Sequence, residues 1–162
     1  YFNVIGGKTA QLFGASAQSG AIVANGSLKQ IKAAFDFGYN MGLAFQIIDD
    51  VMDYSSSKNK MGKNQGDDFK LGKTTLPIIL AWEKSNKFER EFFLETLKEL
   101  KQEKGDFEKC CEILEKYSIL KQCKIIANNF IIKATNALDE FSENSYKKAL
   151  IELANNSLSR DH

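Results

Sequence analysis

Residues 43–54 read LAFQIIDDVMDY and place three aspartates, Asp49, Asp50 and Asp53, in a stretch otherwise patterned as the core face of a helix. No Lys or Arg lies between Asp36 and Ser57 to answer that charge. On a helical wheel with Gln46 at zero, Asp49 falls at about 300°, Asp50 at about 40° and Asp53 at about 340°. Tyr39 and Gly42 join that side, while Ala44, Ile47, Ile48, Val51 and Met52 fill the other, with Phe45 at the edge. The pattern predicts one helix with a narrow acidic stripe and a broad apolar back.

An acidic stripe is most often just the wet face of an amphipathic helix. Two features argue for more here. Like charges at i,i+4, as in Asp49 and Asp53, destabilise a helix by roughly 0.2–0.5 kcal/mol, and acids near a helix C-terminus oppose its dipole. The other polar faces of the chain mix Lys with Glu, and this one does not. The simplest counter-charge is a divalent cation. Carboxylate oxygens suit Mg²⁺, which keeps several waters and is commonly held by one or two carboxylates plus a substrate phosphate. An EF-hand calcium loop is excluded, because its D-x-D-x-D-G pattern is missing.

Along the rest of the chain, apolar residues recur at spacings of three and four almost throughout, and there is one Pro. This predicts an all-α helical bundle. A chain of this size buries roughly 70% of its unfolded surface, so a single all-α domain over residues 1–162 is expected. The first helix, near 3–25, carries Gly6, Gly7, Gly14 and Gly20. Each glycine costs about 1 kcal/mol relative to Ala inside a helix, so the four are read as points of close backbone approach, on a helix packed on most sides. Asn25 and Gly26 stop it, and Ser27 with Gln30 forms a capping-box pattern that opens the next helix, 28–54. Residues 55–74 lose all periodicity and read as a loop. Pro77 fits the first turn of a helix resuming at TLPIILAWEK. Further helices are expected near 87–103, 106–117, 119–141 and 144–158.

Composition removes several function classes. Lys plus Arg (22) nearly cancels Asp plus Glu (21), so no global field points to nucleic acid. Cys110, Cys111 and Cys123 form no CxxC pair and are odd in number, which implies neither a zinc site nor a disulfide framework. A reducing, cytoplasmic setting is expected. The one histidine is His162, so chemistry must run on Asp, Lys, Gln, Thr and a metal. No apolar run approaches the ~18 residues of a transmembrane segment. The chain opens at Tyr1, which leaves a targeting segment upstream an open question.

Lys58, Lys60, Lys63, Lys70 and Lys73 follow the stripe, and Lys8 sits alone among small residues. A lysine-rich loop is ordinarily just soluble. Beside a stripe that calls for Mg²⁺, these point charges become candidate partners for a diphosphate. Lys8-Thr9 and Lys73-Thr74 each follow a Gly, but the glycine spacing of a P-loop and its preceding strand are both absent.

Three stretches in order now resemble the C-terminal half of the trans-isoprenyl diphosphate synthase, or polyprenyl synthetase, family. They are GKTAQLF at 7–13, GLAFQIIDDVMDY at 42–54 with the second aspartate-rich motif, and MGKNQGDDFKLGKTTLP at 61–77. The resemblance implies the C-terminal part of the all-α isoprenoid synthase fold, a homodimer, and Mg²⁺-dependent condensation of isopentenyl diphosphate with an allylic diphosphate. It implies Asp49, Asp50 and Asp53 as metal ligands, Lys8, Lys63 and Lys73 as diphosphate-binding residues, and Lys8, Thr9 and Gln46 as catalytic residues. Asp68 also matches the family pattern. The family's first aspartate-rich motif and its arginines are expected N-terminal to Tyr1, so this chain alone is expected to be inactive. A catalytically silent partner subunit with the same fold is the alternative. A terpene cyclase is disfavoured by Gly-Lys-Thr and by Phe-Gln ahead of the aspartates. A helical bundle with no ligand is the plainest remaining reading.

Overall fold

A computed structural model describes residues 1–55 and 65–159. Among the described residues every regular element is helical: α1 (Phe2–Ile5), α2 (Gln11–Val23), α3 (Leu28–Tyr54), α4 (Asp67–Lys70), α5 (Leu76–Lys84), α6 (Lys87–Phe93), α7 (Asp106–Lys116), α8 (Ile119–Ala137) and α9 (Ser145–Asn156). They gather into two compact units. One comprises Tyr1–Ile48 and the described residues after Lys124, and the other is Asp49–Lys124. Helix α3 thus contributes Gln46 to the first unit and the three aspartates to the second.

In the first unit, α1 and α2 run on through a π turn over Gly6–Ala10, the segment GGKTA. The Ser27 capping box forms as expected: the Ser27 N–H donates to Gln30 Oε1 at 3.0 Å and the Gln30 N–H to Ser27 Oγ at 3.3 Å. Close approach is made from both sides: a Cβ on Gly6 would meet the Tyr39 hydroxyl at 2.7 Å and one on Gly14 the Phe35 ring at 2.8 Å, while the tightest backbone contacts come from glycines on the partner helix. A Cβ on Gly42 would lie 2.6 Å from the Ala10 Cα, and one on Gly38 would run into the Phe13 carbonyl. Gly7 and Gly20, by contrast, face open space. Phe13 then meets Phe45 with ring centroids 5.6 Å apart, over a core that includes Met41, Ala44 and Ile47.

The first helix is not packed on most sides within this chain. Ile5, Gly6, Ala10 and Gly14 are buried, but Leu12 is 69% exposed and Val23 83%. One stripe of small residues is enough to seat it on α3, and its remaining face is uncovered. Elsewhere in the unit Lys147 is buried, yet satisfied. Its Nζ donates to the Phe141 carbonyl at 3.1 Å and pairs with Glu143 at 2.7 Å.

The second unit is built on Val51, Phe69, Ile78, Phe93, Leu114 and Ile119, all nearly inaccessible. Fully burying such a side chain contributes about 1.5–3 kcal/mol. Pro77 lies in the first turn of α5, where its missing N–H would have had no partner. Helix α6 opens with a second capping box, between Asn86 and Glu89, and continues into a π turn over Leu94–Lys98. That helix ends short of the expected residue 103, and Leu100 then takes φ +54. Within the expected loop 55–74, DDFK forms α4 instead of staying irregular. Phe69 explains it: at 2% exposure it fixes the segment to the core, and its ring meets that of Phe107 at 5.8 Å. Cys110 and Cys123 are buried, Cys111 is half-buried, and all three are free thiols. No helix among the described residues is long and apolar enough to cross a membrane.

Candidate functional site

Two clusters hold the residues singled out by sequence. In the first unit the π turn carries Lys8 and Thr9. A π turn admits one extra residue, and such turns are frequent at functional sites. The Thr9 hydroxyl donates to Gln46 Oε1 at 3.0 Å. Gln46 is buried and Thr9 half-buried, while Lys8 is exposed.

In the second unit the acidic stripe divides. Asp49 and Asp53, one turn apart, are half-buried. Asp50 is 5% exposed, contrary to its expected place on the open face. A flank position at about 40° from the stripe's centre can be covered by whatever packs beside it. Asp50 lies near Cys123, whose thiol is pushed up to about 12 by burial first and by the Asp50 charge second. Cys111, with its Sγ 3.9 Å from the Tyr54 carbonyl oxygen, is pushed up to about 11, chiefly by burial. Thiols held this far above neutral pH are poor nucleophiles, which leaves them as packing groups.

Asp53 is the best-defined carboxylate of the three. Its Oδ1 accepts the Asp67 N–H at 3.2 Å and its Oδ2 the Asp68 N–H at 3.1 Å. Burial holds its carboxyl above the usual range, and the Asp68 and Asp67 charges add to the effect against the pull of those two bonds. Asp68 in turn receives Lys73 Nζ at 2.7 Å. That bond comes first among the causes that raise the Lys73 ammonium above its ordinary value. Gly66 lies in the 61–77 stretch that carried the resemblance, but neither its turn nor Asp67 was given a role there. The signal was the GDD triplet at 66–68, which follows the stripe at a distance that periodicity does not link. Lys58, Lys60 and Lys63 lie outside the described residues.

Burial does more than the neighbouring charges to raise Asp53, and those neighbours are themselves paired, Asp68 with Lys73 at 2.7 Å and Asp67 with Lys70 at 3.5 Å. Carboxylate oxygens are hard donors of the kind that Mg²⁺ takes. Among the described residues no three His, Cys, Asp or Glu side chains converge as a metal cage.

Residues 1–114 match the pattern of the polyprenyl synthetase family. The octaprenyl diphosphate synthase of Haemophilus influenzae is 36% identical over 162 residues, covering 100% of this chain and 49% of that protein. A short chain isoprenyl diphosphate synthase of Methanothermobacter thermautotrophicus is 33% identical, again over 100% of this chain and 49% of the relative. The polyprenyl synthase of Caulobacter crescentus, solved with calcium and isoprenyl diphosphate, superposes with TM-score 0.95 at 38% identity, over 100% of this chain and 49% of that one. The chain therefore spans about half the length of these relatives. Its helices follow the all-α isoprenoid synthase fold, and the chain belongs to the polyprenyl synthetase family.

Proposed function

We propose that this chain serves a Mg²⁺-dependent prenyltransferase, a trans-polyprenyl diphosphate synthase that joins isopentenyl diphosphate to an allylic diphosphate and lengthens it by one C5 unit. The observation that carries this reading is the joint placement of Asp53, Asp68 and Lys73 in a chain whose relatives are prenyl diphosphate synthases. Asp49 and Asp53 would hold the metal through carboxylate oxygens, with Asp50 adding negative charge close by. Bound there, Mg²⁺ would neutralise charge developing on the departing diphosphate.

The remaining roles follow from the chemistry of each group. Lys8, Lys63 and Lys73 offer ammonium groups to diphosphate oxygens, as point charges with three donors each. Fixed positive charge aimed at a leaving group lowers the barrier most when it is already in place before reaction. Thr9 and Gln46 supply neutral dipoles already oriented by their mutual hydrogen bond. Such groups can face a positively charged substrate carbon without neutralising the site. The same reading takes the assembly to be a homodimer in the cytoplasm.

The test is incorporation of labelled isopentenyl diphosphate by the natural gene product that carries this chain. Product should form only with Mg²⁺ and an allylic diphosphate, and Asp49→Ala should lower kcat by about 100-fold or more, on the scale of lost transition-state charge stabilisation. Unchanged turnover in that variant overturns the assignment. Absent turnover with intact binding of Mg²⁺ and diphosphate would identify a catalytically silent subunit.

A further inference from the structure

We infer that Asp53 has a second task besides metal binding. It is a positioning residue that fixes Asp68 and, through it, the Lys73 ammonium. The use made of that ammonium rests on the diphosphate reading above, whereas the clamp itself does not.

Asp53 ties down three consecutive residues. Its side chain takes the Asp67 and Asp68 N–H groups, one on each oxygen. Its main-chain carbonyl takes the Gly66 N–H at 3.1 Å. Helix α4 has four residues, and an isolated helix that short does not sustain itself. Something outside it must therefore set its start. Gly66 makes the turn into it at φ +80, with the Phe107 ring 2.8 Å from where a Cβ would stand, so the entry path leaves little latitude.

The far end of α4 is secured separately. Phe69 is buried, and Gln102 Nε2 donates to the Phe69 carbonyl at 2.8 Å. That core contact fixes depth, and the Asp53 clamp fixes the direction in which the first turn points. Asp68 then carries the constraint onward at two points. Its carbonyl accepts the Lys73 N–H at 2.9 Å, and its carboxylate accepts Lys73 Nζ at 2.7 Å.

Metal binding and clamping do not compete. An ionised carboxylate offers about four lone-pair sites, and the two N–H bonds use one on each oxygen. The charge that makes Asp53 a metal-facing group also strengthens its bonds to the two amides. Asp49, one turn earlier on the same helix, is the natural control: the 67 and 68 amides go to Asp53, so an Asp49 variant removes a proposed metal ligand while keeping both acceptors of those bonds.

The decisive measurement is amide hydrogen exchange, without metal, of the natural gene product that carries this chain. In Asp53→Ala the amides of Asp67 and Asp68 should exchange about tenfold faster or more, while Asp49→Ala leaves them unchanged. Asp53→Asn, which keeps one acceptor oxygen, should fall between and guards against misfolding of the alanine variant. Unaltered exchange at both amides in folded Asp53→Ala overturns the inference. A second readout is calorimetric binding of inorganic diphosphate with Mg²⁺. Because Asp53 acts partly through Lys73, the losses from Asp53→Ala and Lys73→Ala should be markedly less than multiplicative, and those from Asp49→Ala and Lys73→Ala should multiply. Multiplicative losses in both pairs also overturn it. If the wild-type gene product that carries this chain binds no diphosphate with Mg²⁺, the functional reading fails, and the exchange result by itself decides whether Asp53 is a clamp.

Discussion

Two carboxylates in the second unit, Glu89 and Asp53, have been treated in opposite ways. Burial works to raise Glu89, but hydrogen bonds from Lys116 Nζ at 2.8 Å, the Asn86 N–H at 2.9 Å and the Tyr117 hydroxyl at 2.9 Å outweigh it, and its pKa is lowered. Asp53 is raised, chiefly by burial, despite its two backbone bonds. Glu89 joins the start of α6 to the end of α7 and is finished by the groups the fold provides. Asp53 is met by two main-chain N–H groups at the start of α4. In one unit, then, one acid is held by donors that outweigh its burial and the other by donors that do not.

Removing the seat beneath the Asp53 clamp gives the largest expected effect. Phe69→Ala empties a fully buried site and should cost about 3–5 kcal/mol. Denaturant unfolding would read this as a lower midpoint, and a loss under about 1 kcal/mol would mean that α4 is held by its hydrogen bonds rather than by its core contact.

A smaller effect separates the two acids by pH. Because the folded pKa of Glu89 lies below its unfolded value near 4.5, its stabilising contribution is present above that value. It disappears as pH falls through the folded pKa. Urea midpoints of Glu89→Gln should therefore trail wild type at pH 7 and converge with it as the solution is acidified below about 4.5. A constant gap across that range would show that its charge is not the relevant property.

The smallest effect belongs to an exposed pair. Lys32 and Asp36 form an i,i+4 ion pair with the lysine side chain 75% exposed. Lys32→Ala should shift stability by less than about 0.5 kcal/mol. A larger shift would mean that pairing alone, without burial, distinguishes structural acids from functional ones in this chain.

Much of the architecture was legible from local signals that have a direct physical cause. Ser27 with Gln30 announced the start of α3, and Pro77 the first turn of α5. The three- and four-residue spacing marked every long helix. What escaped has equally specific reasons. DDFK is too short for a period to register, and it is helical because Phe69 is buried, a fact about distant partners such as Phe107. The wheel could rank Asp50 on the flank of the stripe but held no information about which flank would be covered. The Asn86 and Glu89 box was readable in principle, since an Asn three residues before a Glu is the same grammar as Ser27 and Gln30. The family motif located Thr9 and Gln46, yet nothing in GGKTA reveals that its backbone widens into a π turn.

That widened turn has a consequence for how the chain tolerates change in length. A π turn is an α-helix holding one residue in surplus. Deleting one residue of Gly6–Ala10 would let the ordinary ladder close, and because the wide turn is what absorbs the surplus residue, Phe2–Ile5 and Gln11–Val23 would keep their faces in phase. The change would be local, in how the turn presents its own side chains, Lys8 and Thr9 among them. The surplus residue is thus a device of the turn alone: its flanks hold their register with or without it.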